Sequence, residues 1–152
     1  MDFLFFFFLL GHVIYVDMAK KKILNFSVLA FFLMGINFLV FYKGNSLSEG
    51  WVDAITASIG ILVFFICFHL VGWMGAGDVK FAAALAFCLG VEASFYVWVI
   101  SVTMALLYSS IVFLQARVHA ARTGVLIKHG VKYVPYGALL SASTMIYVLA
   151  IR

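Results

Sequence analysis

Long apolar stretches separated by short polar ones organise the whole chain. Gly and polar residues interrupt the apolar pattern at residues 43–46, 72–77, 90–92 and 117–132. No stretch shows the period of two that half-buried β-strands require, so we expect helices. The pattern therefore predicts six helical segments, at residues 3–16, 26–42, 53–71, 79–91, 94–114 and 134–151. The fourth segment is short for a membrane span, which leaves a count of five spans open.

Composition places these helices in a lipid bilayer. Apolar residues make up 66% of the 152 residues, charged residues make up only 11%, and there are 17 Phe. In lipid, the backbone polar groups of such apolar runs are satisfied by pairing inside helices. The expected fold class is an all-α polytopic membrane protein with about six transmembrane helices, forming a single domain over residues 1–152. Because the N-terminus lacks a basic signal-peptide region, we interpret residues 3–16 as a retained helix.

The distribution of basic residues predicts the orientation of the helices. With six spans, the loops at residues 17–25, 72–80 and 115–133 share one side and carry eight of the ten Lys and Arg residues. By the positive-inside rule this side is cytoplasmic, and both termini face outward. The net charge of +4 is then a topology signal, so no nucleic-acid partner is expected. Anionic lipid headgroups are the expected partner of the basic loop at residues 115–133.

The acidic residues follow the opposite distribution. Four of the six acids fall on the outer side, at Asp2, Glu49, Asp53 and Glu92. The two acids on the cytoplasmic side are Asp17 and Asp78, and each is expected where a helix meets the cytoplasmic surface. A charge in the bilayer interior costs about 3 kcal/mol, so such residues are rare and usually functional. The topology therefore selects Asp17 and Asp78 as a candidate pair.

Two carboxyl groups at one site can carry out paired acid–base chemistry. Like charges a few ångströms apart do not ionise together readily, so the pair shares a proton and titrates as a unit. In an aspartic peptidase, the ionised partner takes a proton from the attacking water while the protonated partner hydrogen-bonds the oxyanion. Gly75 and Gly77 would permit unusual backbone angles and close approach of a substrate chain. Simpler alternatives are a glycine turn there and an interfacial ion pair between Asp17 and Lys20 or Lys21.

Three motifs resemble those of one peptidase family. Gly75-Ala-Gly77-Asp78-Val79-Lys80 resembles the GxGDxK motif of type IV prepilin leader peptidases and preflagellin peptidases. The segment 17–25 resembles the family's first aspartate, which is followed by a basic loop and Ile-Pro-Asn. The segment 134–138, Val-Pro-Tyr-Gly-Ala, resembles its Ile-Pro-Phe/Tyr-Gly-Pro stretch. The chain departs from these motifs at Leu24 and Ala138, where the family usually has proline, so the loop geometry there is expected to differ.

The resemblance implies a GxGD aspartic endopeptidase with Asp17 and Asp78 as its catalytic residues. It implies cleavage of leader peptides from prepilin-like, Flp-type precursors at the cytoplasmic face of the inner membrane. Its short, peptidase-only members lack the domain with paired CxxC motifs, and this chain matches their size. Substrate binding or loop support is expected of a second set of residues: Asn25, Gly75, Gly77, Lys80, Pro135 and Gly137.

Other residue types suggest no separate site. The two Cys and four His residues lack metal-ligand spacing, so no metal or cofactor is expected. His12 and His69 are expected to be core or interfacial residues, and Tyr136 is expected in an interfacial aromatic belt. Two other functions stay open: a proton- or cation-coupled transporter component, and a non-catalytic scaffold of a pilus or secretion assembly. Pilus-assembly machinery is a further candidate partner, while the oligomeric state and the exact substrate stay open.

Overall fold

The computed structural model describes residues 2–20, 23–41, 49–72, 74–123 and 134–151. These residues form five α-helices: α1 (Asp2–Lys20), α2 (Asn25–Phe41), α3 (Trp51–Leu70), α4 (Ala76–Thr123) and α5 (Tyr136–Ile151). The prediction of an all-helical fold is confirmed. Several positions of the sequence analysis lie outside the described residues: Lys21, Lys22, residues 43–46, residue 73, residues 124–133, and the side chain of Asp2.

The longest helix, α4, reverses direction at Gly90. Gly90 has φ 81° and ψ −179°, a conformation that residues with a Cβ rarely adopt. This glycine separates a first arm, residues 76–89, from a second arm, residues 91–123. The second arm runs parallel to α3, because Val91 bonds Asp53 near the start of α3 while Trp98 packs on Phe64 further along.

The first arm of α4 runs antiparallel to α3 and to the second arm. Only residues 71–75 connect it to the end of α3, so the chain must turn back there. Side chains of both arms line one small cavity, which also places the arms side by side: Ala82, Leu85, Ala86 and Leu89 from the first arm, and Ser94, Val97 and Trp98 from the second. The break predicted at residues 90–92 is therefore the tip of a helical hairpin.

Among the described residues, two helical stretches are long and apolar enough to cross a membrane, namely Trp51–Leu70 and Ala76–Gln115. Asn25–Phe41 and Tyr136–Ile151 are shorter apolar helices. At about 1.5 Å per residue, the first arm of α4 is about 21 Å long, whereas the hydrocarbon core of a bilayer is about 30 Å thick. These lengths fit a membrane protein, but the predicted count of six spans is not confirmed.

The first arm of α4 is the most enclosed part of the structure. Every residue from 81 to 90 is buried. Edge-to-face ring contacts connect this arm to its neighbours, since Phe31 of α2 lies 5.4 Å from Phe81 and 5.7 Å from Phe6 of α1. Gly35 of α2 allows close packing, because a Cβ there would lie 2.6 Å from a ring carbon of Phe87. The arm that begins beside Asp78 is therefore firmly packed.

Asp53 of α3 makes hydrogen bonds at the end of the bundle where Gly90 lies. Its Oδ1 accepts the backbone N–H of Val91 at 3.1 Å, and its Oδ2 accepts that of Glu49 at 3.2 Å. The first N–H groups of a helix have no intrahelical partner, and a carboxylate supplies one. Asp53 thus caps the second arm of α4. This cap lies at the Gly90 end of the hairpin, whereas Asp78 lies at the opposite end of the first arm.

Candidate active site

Asp17 lies inside α1 rather than at its end. The helix continues to Lys20, whereas the sequence analysis ended the segment at Val16. Ala19 and Lys20 are good helix formers, so propensity extends the helix beyond the apolar run. The Asp17 side chain is fully buried, with 0% of its surface exposed, while Lys20 is exposed. Asp17 is therefore enclosed by the protein itself.

The start of α5 provides a hydrogen-bond donor for Asp17. The backbone N–H of Ala138 donates to Asp17 Oδ2 at 2.8 Å. The first intrahelical bond of α5 runs from the N–H of Leu139 to the carbonyl of Pro135, at 3.1 Å, and the N–H of Tyr136 bonds the carbonyl of Val134. The N–H groups between these two bonds have no partner within the helix, so they are available to side chains.

Asp78 lies in the first turn of α4, which begins at Ala76 rather than at residue 79 as predicted. The Gly75 carbonyl accepts the N–H groups of Asp78 and Val79, at 3.1 and 3.3 Å. The Asp78 side chain lies back against Gly75, since a Cβ there would be 3.1 Å from Asp78 Oδ2. This position resembles that of the acidic residue in a capping box, whose side chain reaches back to the residue that starts the helix. Local capping therefore explains the earlier start.

The two carboxylates converge on consecutive residues of α5. Asp17 accepts the N–H of Ala138 at 2.8 Å, and Asp78 lies within interaction range of the N–H of the preceding residue, Gly137. The carboxylates are close enough to interact electrostatically. Negative charge is favoured at this position, because the helix dipole and the free N–H groups both point toward it. The structure thus brings Asp17 and Asp78 together at one site.

Gly75 and Gly137 leave space beside the carboxylates. A Cβ on Gly75 would lie 3.1 Å from Asp78 Oδ2. A Cβ on Gly137 would lie 3.1 Å from Asp17 Oδ2 and 2.5 Å from Cδ1 of Ile23. Because Cβ atoms rarely approach other atoms so closely, any larger residue at either position would displace a carboxylate or its neighbours.

The expectation of unusual backbone angles at Gly75 and Gly77 is wrong. Among the glycines that the structure describes, positive φ occurs at Gly72 and Gly90. A Cβ on Gly77 would meet Ile23 at 3.5 Å, which is an ordinary van der Waals distance. Backbone freedom is needed where the chain leaves α3 and where α4 reverses, rather than in the motif that contains Asp78.

Ile23 is a site residue to which the sequence analysis gave no role. It lies just before α2, is partly buried and packs against the hydrophobic core. Its side chain fills the space between Gly77 at the start of α4 and Gly137 at the start of α5. Ile23 therefore keeps these two helix starts at a fixed separation. The apolar pair Ile23 and Leu24, between Lys22 and Asn25, was the available signal.

The remaining expected site residues lie in different environments. Pro135 is the residue that caps α5, since its carbonyl accepts the first intrahelical bond of that helix. Asn25 is the first residue of α2, and Lys80 lies in the first arm of α4; both are exposed. Of these three residues, only Pro135 belongs to the helix start that holds the carboxylates.

Tyr136 is partly buried and contacts two neighbouring helices. Its hydroxyl oxygen is 3.1 Å from Ser101 Oγ, and its ring packs edge-to-face on Phe65 at 6.0 Å. Tyr136 also lies within electrostatic range of Asp78. It therefore attaches the start of α5 to α3 and to the second arm of α4. The sequence pattern gave no indication of this contact.

The site is open on the side of Asp78. Asp78 is half-buried, and the adjoining Gly75 and Ala76 are exposed, whereas Asp17 is fully buried. Among the described residues, no group of three or more His, Cys, Asp or Glu residues could hold a metal ion. The groups that the described site does present are the two carboxyls of Asp17 and Asp78 at the start of α5.

Comparison with known proteins identifies the family. The model of the type IV leader peptidase family matches residues 4–110, which include both Asp17 and Asp78. Searches of curated proteins and of solved structures gave no significant match. The family match covers more than half of the chain and agrees with the resemblance seen in the sequence motifs. The chain therefore belongs to the type IV leader peptidase family.

Proposed function

We propose that this protein is a membrane-embedded aspartic endopeptidase that removes the leader peptide from prepilin-like, Flp-type precursors. Membership of the type IV leader peptidase family implies a protease and prepilin-like substrates. The observation that carries the aspartic mechanism is the convergence of Asp17 and Asp78 on the N–H groups of Ala138 and Gly137. Asp17 and Asp78 are then the catalytic residues.

Helix capping alone does not explain this arrangement. One carboxylate is enough to satisfy the start of a helix, and serine or asparagine serves equally well. A second carboxylate beside the first adds repulsion, because two like charges at close range disfavour joint ionisation. Two acids at one helix start therefore favour a function that needs both, and a pair that shares a proton is such a function.

The geometry suggests the following sequence of steps. The ionised carboxylate takes a proton from water as the water oxygen attacks the scissile carbonyl carbon. The protonated carboxyl donates a hydrogen bond to the oxyanion that forms, and a proton is then delivered to the leaving amine nitrogen as the C–N bond breaks. The N–H groups of Gly137 and Ala138 hold the carboxylates in orientation before the substrate arrives, which reduces the entropic part of the barrier.

We further propose that the peptide approaches along the start of α4. Asp78 is the more exposed carboxyl, and Gly75 and Ala76 beside it present no bulky side chain. A chain lying there would place its carbonyl next to Asp78, with Asp17 behind. Gly77, Lys80 and Asn25 lie on or near this side and remain candidates for substrate contact or loop support.

The proposed location is the inner membrane, which the chain crosses several times as one integral domain. Lys20 and Lys80 lie near the two aspartates, whereas Asp53 and Glu92 lie toward the other end of the bundle. This distribution of charge supports an active site at the cytoplasmic face by the positive-inside rule. Both termini would then face outward.

Co-expression with a Flp-type prepilin tests this function. The wild-type protein should convert the precursor to a shorter form, whereas D17N and D78N should leave it uncut while accumulating normally in the membrane. The matched control is E92Q, at an acid toward the opposite end, which should process the precursor as the wild type does. Normal processing by both Asn variants would refute the peptidase. Aspartate-dependent ion flux without any cleavage would instead support a transporter.

A further inference from the structure

The connection between α3 and α4 is attached to His69 through the backbone. Helix α3 ends at Leu70, and Gly72 follows with φ 81°, the left-handed conformation that commonly terminates a helix. The N–H of Gly72 donates to the carbonyl oxygen of His69 at 2.9 Å. The chain therefore turns back over the last turn of α3.

The imidazole of His69 makes a second bond to the same connection. Its Nδ1 lies 2.9 Å from the carbonyl oxygen of Met74. A carbonyl oxygen only accepts hydrogen bonds, so Nδ1 carries the proton and donates it. His69 therefore holds the connection on both sides of its turn, at Gly72 through the main chain and at Met74 through the ring.

Met74, which accepts the bond from His69, directly precedes Gly75, which bonds Asp78. Met74 packs against the core, and Gly75 follows it directly. The Gly75 carbonyl accepts the N–H of Asp78 at 3.1 Å, and a Cβ on Gly75 would lie only 3.1 Å from Asp78 Oδ2, so Gly75 lies directly against the carboxylate. The Met74 carbonyl and the Gly75 N–H belong to the same peptide unit. Because a peptide unit is planar, fixing one of these groups fixes the direction of the other.

We infer that His69 is a positioning residue for the peptidase reaction: its Nδ1–H fixes the Met74–Gly75 peptide and thereby Gly75, which lies against the Asp78 carboxylate and whose carbonyl accepts the Asp78 N–H. This inference rests on the proposed function of the Asp17 and Asp78 pair. His69 itself does not touch the reacting atoms. From the sequence, His69 was expected only to be a core or interfacial residue. Its spacing from Asp78 does not predict the bond between its ring and the Met74 carbonyl.

Substitution by amides of two lengths tests the inference. The amide nitrogen of Asn occupies the same place along the side chain as Nδ1 of His, whereas that of Gln lies one atom farther out. A single hydrogen bond of this kind is worth a factor of about 3 to 10. We therefore expect H69A and H69Q to lower kcat for precursor cleavage by about 3- to 10-fold with KM unchanged, and H69N to restore it.

Hydrogen exchange gives a readout that does not depend on cleavage. The amides of Asp78 and Val79 should exchange faster in H69A and H69Q, and at the wild-type rate in H69N. H12A, at an exposed histidine of α1, is the matched control and should leave both kcat and exchange unchanged. Full-length protein in lipid vesicles is used throughout, and the Asn and Gln variants keep the test decisive if H69A does not fold.

D78N, measured in parallel, separates the two possible failures. Cleavage by D78N would refute the proposed function itself. If D78N is inactive while H69A and H69Q keep wild-type kcat and exchange, the His69 inference is overturned and the peptidase stands. Equal losses in H69N and H69Q would also overturn the inference, because the donor position would then not matter.

Discussion

Aspartates bond the starts of helices at both ends of the bundle, but in different numbers. At one end, Asp53 accepts the N–H of Val91 at 3.1 Å, where the second arm of α4 begins, and that of Glu49 just before α3 at 3.2 Å. At the other end, Asp17 accepts the N–H of Ala138 at 2.8 Å, and Asp78 lies within interaction range of the N–H of Gly137. Among the described residues, one carboxylate thus serves two helix starts at the first end, whereas two carboxylates lie at one helix start at the second.

This difference separates capping from chemistry. Asp53 is only partly buried and provides what a helix start requires, namely an acceptor for a free N–H. Asp17 is fully buried, where a charge is costly unless it is well bonded, and Asp78 beside it increases that cost. This arrangement costs more free energy than helix capping requires. A catalytic function explains it best. The comparison therefore predicts different consequences of substitution at the two ends.

The largest effect is expected from D17A. It removes one of the two catalytic carboxyls and leaves the buried N–H of Ala138 without its acceptor. We expect cleavage of the precursor to fall by about 10²–10⁴-fold, and the free energy of unfolding to fall by about 1–3 kcal/mol. Cleavage kinetics and denaturant unfolding in detergent measure the two effects. Loss of stability with cleavage retained would assign Asp17 to structure alone.

A smaller loss is expected from G137A. The new Cβ would lie 3.1 Å from Asp17 Oδ2 and 2.5 Å from Cδ1 of Ile23, so the carboxylate or the isoleucine must move. A displacement of about 1 Å at a catalytic group can cost about 100-fold in rate. We expect the rate of cleavage to fall by up to that factor, with normal accumulation in the membrane.

Two further variants refine this prediction. G60A adds a methyl group to α3 where nothing lies within 4 Å, so it should keep full activity. Combining G137A with I23V removes Cδ1, the atom closest to the new methyl group, and should restore part of the rate. Wild-type cleavage by G137A would show that the start of α5 does not control the carboxylates.

The smallest effect is expected from D53A. Loss of this cap at Val91 should lower the free energy of unfolding by about 1 kcal/mol. The rate of cleavage should stay within about 2-fold of the wild type, because Asp53 lies at the end of the bundle away from the site. D53S retains an acceptor and should recover most of the stability. Abolition of cleavage in a well-folded D53A protein would remove the functional distinction between the two ends.

Local signals in the sequence predicted much of the fold and the central pair. Interruptions of the apolar pattern located the helix breaks, including the reversal at Gly90. Charge asymmetry grouped Asp17 with Asp78 before any contact between them was known. These predictions succeed because burial of apolar residues and exclusion of charge from lipid act on each segment separately.

Long-range packing accounts for most of what the sequence did not predict. The bond between Asp17 and Ala138 joins residues 121 positions apart, and it depends on how α5 docks against α1. The position of Ile23 between two helix starts depends on the same docking. Helix ends were misjudged by about one turn at Val16 and Val79, because capping and propensity extend helices beyond their apolar cores. Periodicity carries no information about such contacts.

The most direct test of the central claim is the single-turnover rate of leader cleavage by purified protein in lipid vesicles. D17N, D78N and D53N are compared side by side, since Asn keeps an oxygen that accepts an N–H but cannot exchange a proton as a carboxyl does. We predict background rates for D17N and D78N and a nearly wild-type rate for D53N. A rate near that of the wild type in D17N or D78N would contradict a mechanism based on paired carboxyls.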